Sequence, residues 1–152
     1  MRARRRTRGF SLIELLAAVF ILGVGLTSVS SLFVAGLISS RKAQRVSVAL
    51  NAAQQQTERL RSAGFSGCSV DPDIWTSEDG YTILEQNADL TGRIGFAVPE
   101  LPNGQGEIAI DFYDSGSGVY PNLKSASVAV TWLGGGPTGG TTVLRTLIAN
   151  RP

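Results

Sequence analysis

The chain has 152 residues, one cysteine and no histidine. That size suits a single small domain, and the composition removes His-based triads, His-ligated metal sites and any internal disulfide. Hydrophobic residues make up 43%, and the formal charge of +2 arises at one end. Arg2, Arg4, Arg5, Arg6 and Arg8 precede everything else, and without them nine basic residues face 12 acidic ones, a balance of −3. The basic character therefore belongs to a leader and does not indicate a nucleic-acid-binding face.

Behind the arginines comes Gly9-Phe10-Ser11-Leu12-Ile13-Glu14-Leu15-Leu16. Glu14 is a lone carboxylate, and the 26 positions that follow it, to Ser40, carry no charge. A bilayer core needs about 20 helical residues, so residues 10–40 are long enough to span one. A charged side chain at its centre costs roughly 2.5–3.5 kcal/mol on insertion scales, so Glu14 needs a partner or a purpose. The arginine cluster holds its own flank in the cytoplasm and places the rest of the chain outside it. Locally, Ser11-x-x-Glu14 fits a capping box. Gly23, Gly25 and Gly36 interrupt the apolar run, marking either close helix contact or a locally weak stretch.

Residues 41–62 are polar but keep a helical rhythm. Val46, Leu50, Ala53, Thr57 and Leu60 recur at steps of four and three, which predicts one apolar stripe. No proline occurs before Pro72, so a single helix is expected from Phe10 to Ser62, about 80 Å long at the α-helical rise, with Gly64 as its terminator. Residues 63–152 are rich in glycine and β-branched residues. Strands are expected at Tyr81–Leu84, Ile94–Val98, Glu107–Phe112, Ala126–Leu133 and Thr142–Ala149. Val128, Val130 and Trp132 should share one face, and Gly134–Gly140 should form a hairpin loop. An antiparallel sheet of three to five strands would then cover the helix stripe, giving an α+β fold. Cys68 reads as a small buried residue or a loop thiol. Asp71, Asp73, Glu78 and Asp79 read as a solvated acidic loop, because their spacing does not fit a calcium loop. No cofactor is implied.

The octapeptide from Gly9 to Leu16 behind a short basic leader resembles the class III signal of type IV prepilins and pseudopilins. The resemblance covers residues 1–40. It implies cleavage between Gly9 and Phe10 by a prepilin peptidase, N-methylation of Phe10, and a pairing of Glu14 with the Phe10 amino group of a neighbouring subunit during assembly. It further implies a leader (1–9), a transmembrane and filament-core helix (10–40), an amphipathic continuation (41–62) and an antiparallel β-sheet head (63–152). Implied partners are other pilins, major and minor, the peptidase, the inner-membrane assembly platform, and membrane lipid before assembly. Gly23 to Leu26, Ala53 to Arg61 and Val130-Thr131-Trp132 look most like minor pilins of the pilus-modification (PilV-like) type. The absence of a helix proline and of a cysteine pair separates the chain from the usual major pilins. The competing readings are a minor pseudopilin of a type II secretion or DNA-uptake system, and a signal-anchored extracytoplasmic enzyme or ligand-binding module.

Overall fold

The computed structural model describes residues 11–133 and 139–150. Helix α1 (Leu12–Gly67) is followed by β1 (Tyr81–Gln86), β2 (Gly92–Val98), β3 (Gly104–Asp114), β4 (Val119–Trp132) and β5 (Gly140–Ala149). The chain divides into two compact units between Lys42 and Ala43.

In the first unit residues 12–42 are helical, and every described residue is exposed. No proline interrupts the run, and leucine and alanine are frequent in its first turns, which favours helix over strand. Four polar side chains in the apolar run bond back to their own helix. Thr27 Oγ1 donates toward the Gly23 and Val24 carbonyls, Ser28 Oγ to Val24, Ser30 Oγ to Leu26 and Ser31 Oγ to Ser28. Each hydroxyl is thereby satisfied without water, as an apolar solvent requires.

The second unit packs the amphipathic part of α1 on one face of a five-stranded antiparallel meander, order β1-β2-β3-β4-β5. The fold class expected from the sequence is the one observed, and all five expected strands are present. Alternation places Ile108, Ile110, Ala126, Val128, Val130 and Trp132 in the core with Leu60 and Ile94. On the helix, Ala49, Ala53, Thr57 and Leu60 are buried, whereas Val46 is 41% exposed and Leu50 only half-buried. The stripe therefore enters the core through Ala49 where Val46 and Leu50 were expected, because small residues let helix and sheet approach closely.

Gly64 ends the regular helix. Its φ of 69° and ψ of −167° lie outside helical space, and a glycine adopts that positive φ without steric cost. The chain makes one more turn, with Cys68 N–H donating to the Gly64 carbonyl at 2.9 Å.

Two expectations about the strands need correction. β4 begins at Val119 and not at Ala126, and it runs through Pro121. Phe112 pairs with Lys124 and the next residue, Tyr113, pairs with Tyr120, so Pro121, Asn122 and Leu123 bulge away from β3. A proline with no N–H to donate suits that bulge. β5 begins at Gly140, which was expected in the loop, and pairs with Trp132. A Cβ on Gly140 would overlap the Trp132 ring, so the indole covers the glycine across the strands. Most of the expected loop, residues 134–138, lies outside the described residues.

Candidate functional site

Gly9 and Phe10, the residues expected at the processing and methylation site, lie outside the described residues. Glu14 is described. It stands exposed in the first turn of α1, where a carboxylate favours the positive end of the helix dipole. The Ser11 carbonyl accepts the N–H groups of Glu14 (3.0 Å) and Leu15 (3.2 Å). Ser11 thus starts the helix through its backbone, where a capping box would use its hydroxyl. Leu12, Leu15, Leu16, Val19 and Phe20 line a shallow apolar groove along the same turns.

Glu14 is the only acidic residue of this unit. Around it, Leu12, Ile13, Leu16 and Phe20 are each more than 60% exposed. The helix is long and apolar enough to cross a membrane, and none of its most apolar window is buried. Such a surface is unstable in water and has to be covered by lipid or by like surfaces. Carboxylate and apolar helix together can do one thing chemically: offer a single charge for pairing within a non-aqueous contact. A Cβ added at Gly23, Gly25 or Gly36 would meet nothing within 4 Å, so these glycines are not explained by contacts within the described chain.

The second unit holds two polar arrangements that sequence reasoning missed. At the end of α1, Lys124 Nζ donates to the carbonyls of Cys68 (2.6 Å) and Phe65 (3.3 Å) and lies over the Phe65 ring. Lys124 is only 6% exposed. It satisfies backbone acceptors left open where the helix stops. Beside it, burial pushes the Cys68 thiol up to about 11, and the nearby ammonium offsets part of that rise. Cys68 is free and buried, as one of its two readings held.

On the other flank, Arg59 lies over both the Trp75 and Tyr81 rings, and its guanidinium donates to the Tyr81 hydroxyl at 2.9 Å. That hydroxyl donates to Gln56 Oε1 at 3.0 Å. Trp75 Nε1 donates to the Ser69 carbonyl at 2.8 Å. These contacts tie the loop after α1 to helix and sheet. Arg59 is far from Trp75 and Tyr81 in the sequence, and only the fold brings the three together.

The acidic loop is held by short turns. Asp71 Oδ1 accepts the Asp73 N–H, and Asp79 Oδ2 accepts the Thr76 hydroxyl. Asp73, Glu78 and Asp79 are exposed. Among the described residues no group of three His, Cys, Asp or Glu side chains is placed to hold a metal ion. In the β1–β2 turn, hydrogen bonds from the Thr91 hydroxyl and N–H lower the Asp89 carboxyl below its ordinary value.

Residues 4–30 match the family model of the prokaryotic N-terminal methylation motif. No curated protein matches the chain significantly, and neither does any solved structure. The motif supports a type IV pilin or pseudopilin, and the long apolar helix with a five-stranded antiparallel sheet is an arrangement of that kind. A motif of this type implies processing by prepilin peptidase, assembly with other pilins and membrane anchoring through the apolar helix.

Proposed function

We propose that this chain is a minor type IV pilin, a structural subunit and not an enzyme, cleaved between Gly9 and Phe10 and N-methylated on Phe10. Residues 1–9 are the leader, 10–40 the membrane and filament-core helix, 41–62 its amphipathic continuation and 63–152 the sheet head. Before assembly the helix rests in the inner membrane as a single span with the head outside the cytoplasm. It then enters a pilus at its initiation complex or tip.

The observation that carries this reading is the methylation motif joined directly to an exposed apolar helix with a single carboxylate. Cleavage creates a cationic amine at Phe10 four residues ahead of Glu14. Both charges are costly in an apolar bundle unless paired. A subunit docking in the right axial register matches its amine to a neighbour's Glu14, and one out of register leaves two charges unpaired. Pairing therefore sets the register of assembly. The minor-pilin reading is supported by the single cysteine and by the absence of any proline before Pro72.

Mass spectrometry of the membrane-extracted protein tests the processing. The expected N-terminus is methylated Phe10, and an intact leader in cells with active peptidase overturns the proposal. A minor pseudopilin of a secretion or DNA-uptake system is the alternative. Deleting the gene separates the two, with loss of surface pili expected here and loss of protein secretion or transformation expected there.

A further inference from the structure

We infer that Arg41 and Lys42 bind the phosphates of anionic lipid headgroups and hold the apolar helix at its C-terminal flank in the membrane. The inference rests on the membrane-anchored reading above, though not on cleavage of the leader.

Neither cation has a counter-charge nearby on its own helix. From Leu15 through Thr57 the sequence has no carboxylate. A cation on a helix finds its partner three or four residues away, and neither Arg41 nor Lys42 has an acid within that reach. Two arginines of the sheet unit do have acidic partners, whereas Arg45, Arg59 and Arg145 take part in no ion pair among the described residues. Arg61 pairs with Glu58 at 2.9 Å, and Arg93 reaches both Glu85 and Glu107 at 3.4 Å. Among the described residues Arg41 and Lys42 take part in no ion pair, and both are exposed. Both ammonium and guanidinium are therefore free to take an anion from outside the chain.

Position points to lipid. The two cations follow directly on the uncharged run, just past Leu37 and Ile38, which are 58% and 63% exposed. Long basic side chains at the end of an apolar span extend toward the headgroups while their stems stay on apolar surface. Headgroup phosphate is the anion that a membrane supplies at that depth. Processing sharpens the consequence. The unprocessed chain has five arginines ahead of the span. Once they are gone, the N-terminal flank keeps one amino group and Glu14, which sum to zero. The positive charge that remains beside the span then lies at its C-terminal end. The membrane hold thus passes from the leader to Arg41 and Lys42, and extraction into a filament has to break it.

Native mass spectrometry of the full chain released from detergent, with phosphatidylglycerol and phosphatidylcholine supplied in equal amounts, tests this. The leader arginines are replaced by glutamine in every sample so that they do not contribute. Retained phosphatidylglycerol should exceed phosphatidylcholine, and the preference should fall about fivefold for each cation lost in R41Q/K42Q. The swap R41K/K42R should keep it, which a merely structural role would not require. Equal retention in parent and R41Q/K42Q overturns the inference. So does displacement of the lipid by millimolar inorganic phosphate, which would make the site a free-phosphate site. Unchanged lipid preference with lost filament incorporation would assign the cations to a protein partner and overturn it too. An unprocessed N-terminus in cells bears on the proposed function alone and leaves this measurement standing.

Discussion

At the residue scale, Cys68 and Lys124 share the backbone just past the end of α1, and each makes a testable statement. Thiolate is disfavoured at Cys68 by burial, so the folded state ionises at about 11 and the unfolded chain near the ordinary thiol value of 9.0. Below pH 9 both states hold the proton and the contribution is complete. Between 9 and 11 the unfolded chain binds fewer protons, so stability falls as pH rises, by on the order of 2 kcal/mol. Thermal melts at pH 8 and pH 11 should show a larger drop for the parent than for Cys68→Ala. For Lys124, the Phe65 and Cys68 carbonyls lose a charged donor in Lys124→Met. A loss of about 1.5–3 kcal/mol is expected from denaturant melts, with a change within 0.5 kcal/mol, roughly the size of a surface substitution, counting against the capping role.

At the element scale, the amphipathic part of α1 shows how periodicity and packing divide the work. The 3.6-residue rhythm was legible, as were its end at Gly64 and the common face of Val128, Val130 and Trp132. The phase of the stripe was not. Val46 and Leu50 are the more hydrophobic residues, yet Ala49 is fully buried and Val46 is not. Close approach of helix to sheet favours a small side chain at the contact, and a hydrophobicity pattern does not weigh size. Leu60→Ala should therefore cost about 2–5 kcal/mol, whereas Val46→Ala should stay within about 0.5 kcal/mol; equilibrium unfolding of both variants compares them. The early start of β4 was hidden for a related reason. Pro121 reads as a strand breaker, and only the register with Tyr113 and Phe112 reveals the bulge that accommodates it.

At the scale of the whole molecule, an exposed apolar helix and a packed sheet head have different needs. The head closes its own core, with no buried side-chain polar atom left without a partner among the described residues. The apolar helix instead has to be completed by lipid or by like surfaces, and Glu14 is the one acidic side chain it brings to that contact. Glu14→Ala should leave processing intact but lower incorporation into filaments at least tenfold, as read by immunoblotting of sheared pili. Normal incorporation would remove the carboxylate from assembly.

Sequence alone carried the methylation motif and with it the support for a pilin or pseudopilin. A basic leader, Gly9-Phe10, Glu14 and an uncharged run of membrane length are linear features, and a peptidase or a bilayer meets them as such. The places of the strands were legible too, because alternation of β-branched residues is local, although their number stood at three to five until the sheet showed five. Tertiary structure decided the rest: the burial of Lys124 against the end of α1, the stacking of Arg59 on Trp75 and Tyr81, and the choice of Ala49 over Val46. Each depends on which distant segments come within a few ångströms, and side-chain size and backbone hydrogen bonding across the fold set that distance.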